Sequence, residues 1–233
     1  LSGVARVLVL YVGIFAPAIV AITITALTEG LSGVEELLRP LFKWDVGARW
    51  YLFAMTYMAA IKLSVALLYR LITGRWPPFG NESWYMILGA TILSTIVGGQ
   101  AGEEIGWRGY ALPRLAARIG FAGASIVIGF IWALWHLPLF FVAGADKTGQ
   151  SFVVYTVGVV AISVAITWLY VRTGGSLLLT MLMHSAINQS IGIVSSVTTG
   201  SADVFSVHAS LSAWLTAALL WICAAVFLVK LKR

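Results

Sequence analysis

Five side chains that can move a proton or bind an oxyanion lie within or next to apolar stretches of this sequence: Glu103, Glu104, His136, His184 and Asn188. The chain has nine acidic residues in 233, and two of them stand side by side in Gly102-Glu103-Glu104-Ile105-Gly106-Trp107-Arg108. Ionisable groups at membrane depth are costly, and they usually face an interior cavity and a partner. Neighbours on a helix are about 100° apart, so the two carboxylates point different ways. Glu104 and Arg108 are four apart and can form a salt bridge along one face, with Gln100 one turn earlier. Glu103 has no basic partner in its own helix and is free to face a cavity, where a carboxylate can serve as a general base. The plainer reading, two acids gluing helices together, suits Glu104 with Arg108. It suits Glu103 less, because an unpaired buried acid is costly without a purpose.

His136 sits in Trp132-Ala133-Leu134-Trp135-His136-Leu137-Pro138. Trp132 is one turn before it on the same face, and Pro138 should kink the helix near the histidine. His184 and Asn188 are four apart, and Thr180 extends that line by a turn. Ser185 and Gln189 form a neighbouring line. A helix with such a polar face is expected to look into a wet cavity. A single histidine in a membrane is more often a packing residue, but two histidines with an amide and a free glutamate point to a site. His208 opens the last span without polar company and reads as interfacial.

The elements that position these residues are membrane helices. Hydrophobic residues make up 60% of the chain and charged residues 10%, with a mean hydropathy of +0.94. A soluble domain carries about 25% charge, so the fold class is all-α, a polytopic bundle around a polar intramembrane cavity. No polar stretch is long enough for a separate soluble domain, and 1–233 reads as one transmembrane domain. A spanning helix needs about 20 apolar residues. Seven candidates, with an eighth conceivable, fall at 6–28, 50–72, 84–104, 119–143, 151–171, 176–197 and 207–229. The third is expected to run on as helix to about Leu115, with Gly98, Gly102, Gly106 and Gly109 as a thin stripe for a neighbouring backbone. Segment 29–49 reads as an amphipathic interfacial helix, with Leu31, Val34, Leu37, Leu38 and Leu41 set against Glu35, Glu36, Arg39 and Lys43. Trp76-Pro77-Pro78-Phe79-Gly80 is a connector.

The run after Arg6 is too long for a signal-peptide core and reads as a helix that stays, although a chain starting at Leu1 can lack an earlier segment. One cysteine, Cys223, rules out a disulfide framework or a thiolate metal cluster. The net charge of +6 does not indicate nucleic acid, because the basic residues are scattered between spans. Arg39, Lys43, Arg49, Arg108, Arg114, Arg118, Arg172, Lys230, Lys232 and Arg233 fall on one side, and Arg6, Arg70, Arg75 and Lys147 on the other. The excess places the connector after the glutamates, and the C-terminus, in the cytoplasm.

Taken in order, Glu103-Glu104-x-x-x-Arg108, an aromatic residue four before His136, and His184-x-x-x-Asn188 resemble the three motifs of the CAAX-protease and bacteriocin-processing (CPBP or Abi) family of intramembrane proteases. That family includes the type II CAAX prenyl endopeptidase. The resemblance covers about residues 85–195. The middle motif usually has phenylalanine where this chain has Trp132. The resemblance implies an endopeptidase in which Glu103 and His136 activate the attacking water and His184 and Asn188 hold the oxyanion. Glu104 and Arg108 would support them. The residue chemistry agrees: a carboxylate and an imidazole can share proton work on a water, and an imidazole and an amide can donate to an oxyanion.

Members of the family are commonly named metalloproteases, and Glu103, His136 and His184 could bind zinc. There is no His-Glu-x-x-His spacing, so no obligatory metal or other cofactor is expected. The implied substrate is a hydrophobic or lipidated peptide or protein in a bacterial or archaeal plasma membrane, with lipids as the other partners and no nucleic acid. Two other readings remain. One is a proton-coupled transporter, which would lack the usual internal repeat and would not explain Asn188. The other is a non-catalytic immunity or scaffold protein with the same fold.

Overall fold

A computed structural model describes residues 3–142, 145, 147–196 and 203–232, with side chains from residue 11 onward. Leu1, Arg233, the side chain of Arg6 and the expected span ends at 143 and 197 lie outside the described residues. The chain forms α1 (Gly3–Leu38), α2 (Ala48–Thr73), α3 (Trp84–Val97), α4 (Gln100–Glu104), α5 (Leu112–His136), α6 (Phe152–Arg172), α7 (Leu177–Ser190) and α8 (Leu211–Leu231). Among the described residues, five stretches are long and apolar enough to cross a membrane: Tyr11–Phe42, Ala48–Thr73, Gln100–Phe140, Phe152–Arg172 and Leu211–Leu231. Trp84–Val97 and Leu177–Ile193 are apolar but shorter. The protein is a multi-pass helical membrane bundle, as expected, but two of the seven apolar segments fall short of spanning length.

Helix α6 lies at the centre and packs on α5, α7 and α8. Its sequence is apolar all round, the pattern of a helix enclosed by protein. Serines begin three helices. Ser151, Ser176 and Ser210 each accept a hydrogen bond from the backbone N–H three residues on, so they satisfy donors that helix starts leave open. At one end Trp168 stacks on Phe227 with ring centroids 4.4 Å apart, and Trp50 meets it edge-on at 5.4 Å. Arg49 lies over the Trp50 ring, and Arg172 and Lys230 lie near the Trp168 ring. Lys43 donates to the Gly174 carbonyl. These four cations therefore gather at one end of the bundle. Arg108, counted with them in the sequence, is instead fully buried and takes no part in orientation.

Several expected elements change shape. The third span does not continue as one helix to Leu115. It breaks at Gly98 and Gly99, where Gly98 is extended, because adjacent glycines give the least resistance to unwinding. The expected glycine stripe is divided by that break. Gly102 and Gly106 do face a neighbouring backbone: a Cβ on Gly102 would lie 2.9 Å from the Ile14 carbonyl oxygen, and one on Gly106 would lie 2.6 Å from the Pro17 carbonyl carbon. Segment 29–49 is not one helix: it is α-helical to Leu38, makes a 3-10 turn at Arg39–Phe42 that contains Pro40, and becomes helical again only where α2 begins at Ala48. A bend at Gly30 (φ 73°) separates it from the rest of α1. Leu37, Leu38 and Leu41 dock against Leu177 and Tyr170, while Leu31, Glu35, Glu36, Arg39 and Lys43 are exposed. Pro138 does not kink a continuing helix. α5 ends at His136 and a 3-10 turn, Leu137–Phe140, follows.

Candidate active site

Glu103 and Glu104 close the short helix α4, and a seven-residue π-helical segment, Ile105–Ala111, follows. Wide turns of this kind are frequent at functional sites, and nothing in the hydrophobic pattern announced this one. The carboxylates diverge as helical geometry requires. Glu104 is 0% exposed and so is Arg108. Arg108 Nη1 donates to Glu104 Oε1 at 2.7 Å, and Nη2 donates to Ser163 Oγ on α6 at 3.3 Å. Ser163 in turn donates to the Ser125 carbonyl of α5 at 2.8 Å. The same Glu104 oxygen lies 3.0 Å from His184 Nδ1 on α7. One buried carboxylate thus joins α4, α7 and, through Arg108, α6 and α5.

Glu103, 8% exposed, lines a cavity of about 400 Å³ together with Trp132, His136, His184, Asn188 and Tyr155. The sequence suggested an acid without a partner in its own helix. Its partner comes from another helix: Trp132 Nε1–H of α5 donates to Glu103 Oε2 at 2.6 Å. Trp132 is the hub of the cluster. Its ring meets His184 edge-on at 4.9 Å and His136 at 5.9 Å, and the Arg108 guanidinium carbon lies 4.8 Å from its centroid. A phenylalanine could make the ring contacts but not the N–H donation.

Hydrogen bonding orders both imidazoles. His136 Nδ1 lies 2.9 Å from the Trp132 carbonyl oxygen, which can only accept, so Nδ1 carries the proton and Nε2 is left with a lone pair. His184 Nδ1 faces a carboxylate and donates by the same argument, which leaves its Nε2 for another partner. Asn188, one turn beyond His184, is exposed to the cavity. The polar face of α7 is otherwise drier than expected. Thr180 donates to the Leu177 carbonyl, and Ser185 donates to the Thr91 carbonyl of α3 at 2.7 Å and contacts Ser94. Ser185 thus ties α7 to α3, the Thr180 bond stays within α7, and neither side chain lines the cavity. His208 is exposed outside it, before the start of α8.

Tyr155 and Lys147 also line the cavity, and sequence reasoning missed both. The Tyr155 ring is 5.9 Å from that of His136, and Lys147 Nζ is 5.3 Å from the Tyr155 centroid. Lys147 read as a loop charge, and Tyr155 is a lone polar tip on an apolar helix, so neither stood out in sequence. Tying Nδ1 of both histidines is an arrangement that also orients metal-bound imidazoles. Glu103 does not complete the trio: among the described residues no three of His, Cys, Asp and Glu gather as a metal-binding group.

Comparison with known proteins agrees with the ordered motifs. Residues 80–190 match the family described as "Type II CAAX prenyl endopeptidase Rce1-like". The chain is also similar to CAAX prenyl protease 2 of Methanococcus maripaludis, with 35% identity over 92 residues, covering 37% of this chain and 34% of that protein. The matched part thus spans about a third of the length of this curated relative. The interval 80–190 matched by the family contains every residue of the cluster from Glu103 to Asn188. The expected resemblance to CAAX-type proteases therefore holds for this region.

Proposed function

We propose that this CAAX-protease-like region makes the protein an intramembrane endopeptidase, hydrolysing a peptide bond of a hydrophobic or lipidated peptide in the plasma membrane of a bacterium or archaeon. The supporting observation is convergence: Glu103, His136, His184 and Asn188, drawn from three helices, line one cavity inside an otherwise apolar bundle. Trp132 occupies one oxygen of Glu103, and the other holds the attacking water. As the water oxygen bonds to the carbonyl carbon, Glu103 takes its proton. His136 Nε2, with Nδ1 fixed on the Trp132 carbonyl, shares that proton and passes it to the leaving nitrogen as the C–N bond breaks. The Asn188 amide and His184 Nε2–H donate to the tetrahedral oxyanion. His184 can donate there only with both ring nitrogens protonated, and Glu104 is its counter-ion. Glu104 and Arg108 act through His184 and are positioning residues.

This reaction is written without an obligatory metal, and metal content of active protein with a chelator titration checks that. The central test is Glu103→Gln in purified protein, assayed by cleavage of peptides and proteolipids in membranes. Cleavage should fall by about 10²–10⁴-fold, the typical contribution of a general base, in a variant that still folds. Parent-like turnover by that variant would remove Glu103 from the chemistry. Absence of cleavage by the parent would favour the scaffold or transporter readings.

A further inference from the structure

Arg49, Arg172 and Lys230, all exposed, stand around one aromatic stack at an end of the bundle. Helix α2 begins there, and α6 and α8 end there. The Arg49 guanidinium carbon is 4.9 Å from the Trp50 centroid, and Trp50 meets Trp168 edge-on at 5.4 Å. Arg172 Cζ and Lys230 Nζ are each 5.8 Å from the Trp168 centroid. A guanidinium over a ring engages it through its face and keeps its edge N–H donors for an acceptor. The Trp168 indole N–H is itself buried without an acceptor among the described residues.

Other cations of the chain have found acceptors. Glu104 holds Arg108, Glu29 holds Arg114, and the Gly174 carbonyl takes Lys43. Lys62, fully buried in α2, donates to the Val194 carbonyl, Ser196 Oγ and Thr216 Oγ1. Among the described residues no carboxylate pairs with Arg49, Arg172 or Lys230. Arg172 and Lys230 lie in the last turns of α6 and α8, where a cation offsets the negative end of the helix dipole. Arg49 does the reverse. It adds positive charge to the first turn of α2, which has no acidic residue and no side-chain cap at Gly47. Dipole compensation therefore accounts for two of the three cations and makes the third unfavourable. A single anion between them would serve all three.

The surroundings say what carries that anion. Leu52, about a turn beyond Arg49, is exposed, and so are Val226 and Val229 just before Lys230. The cations thus cap apolar helix sides at the level where membrane headgroups lie. A free phosphate would match the cations alone, whereas a phospholipid matches both parts. We propose that Arg49, Arg172 and Lys230 bind the phosphate of an anionic phospholipid whose acyl chains run along the apolar sides of α2 and α8. Nothing in this site depends on the peptidase reading.

The test is a titration of detergent-purified protein with dioleoyl-phosphatidylglycerol, dioleoyl-phosphatidylcholine and inorganic phosphate, with bound lipid counted by native mass spectrometry. The parent should take up one phosphatidylglycerol about 10-fold or more tightly than phosphatidylcholine. Each cation near an anionic lipid is expected to contribute about fivefold. Arg49→Gln should lose that much, and Arg172→Gln combined with Lys230→Gln roughly 30-fold, with phosphatidylcholine uptake unchanged. Arg118→Gln, which removes an exposed cation of α5, should bind as the parent does. Equal affinity of the parent for the two lipids overturns the site even if the variants do not fold. Parent-like affinity in the double variant also overturns it. An equal loss in Arg118→Gln replaces the site with general attraction by net charge. Displacement of the lipid by phosphate at matching concentration replaces it with a site for a soluble anion.

Discussion

Glu103 and Glu104 are adjacent in sequence and occupy opposite environments. Glu104 is sealed, bonded to Arg108 and His184 in the packing between α4, α6 and α7. Glu103 borders a cavity and accepts one hydrogen bond from a different helix. A rotation of about 100° per residue is enough to separate an acid packed among helices from one that borders a cavity. Each acid depends on a different neighbour, so the two can be disturbed separately.

The largest separation is expected from charge removal. Glu103→Gln should lose cleavage and keep its thermal unfolding midpoint in detergent. Glu104→Ala or Arg108→Ala should cost about 3–5 kcal/mol of stability, because each leaves an uncompensated buried charge. Replacing both by apolar residues, Glu104→Leu with Arg108→Met, should recover most of that stability without restoring activity, as read by unfolding curves and peptide cleavage on the same preparations. If the single variants unfold like the parent, Glu104 is not the structural member of the two.

A finer change falls on Trp132. Trp132→Phe keeps an aromatic ring among the histidines and removes the N–H that Glu103 accepts. A hydrogen bond to a charged group contributes about 1.5–3 kcal/mol, so kcat should fall roughly 10- to 150-fold, with KM and folding little changed. An unchanged kcat would show that Glu103 is held by its own helix alone. The smallest effect is expected at Arg114 and Glu29, an exposed pair at 2.5 Å that links α5 to α1. Arg114→Ala should change stability by about 0–1 kcal/mol and leave cleavage as it was. A larger loss would mean that this pair, and not only the Glu104 network, sets the position of α1 against the site.

Much of the site was legible because its signals are local. The i,i+4 relation of Glu104 to Arg108 and of His184 to Asn188 follows from helical spacing alone, and both pairs lie where that spacing puts them. What escaped was long-range. Trp132 donates across 29 positions and Lys62 reaches residues more than 130 positions away, and no periodicity encodes such partners. Lys62 was also masked by context, because one charge in a long apolar run barely alters its hydropathy. The bundle itself was plain from composition. The break at Gly98 and Gly99 was not, because paired glycines serve equally for close helix packing and for unwinding. The π-helical turn after Glu104 packs against α1 and leaves no mark in the spacing of apolar residues.

The short helices α3 and α7 pack on each other beside the candidate site. A 14-residue α3 rises about 21 Å at 1.5 Å per residue, against roughly 30 Å of hydrocarbon. Lipid touching that flank must thin to meet it, at a cost of fractions of a kcal/mol for each Å of mismatch. The cavity lined by Glu103 and His136 would then lie beside a dimple in the bilayer, where water and headgroups come closer to the bundle centre than elsewhere on its perimeter. On the peptidase reading proposed above, acyl-chain length of the surrounding membrane thereby becomes a variable of the chemistry, acting on how far a peptide bond must sink before Glu103 can reach it.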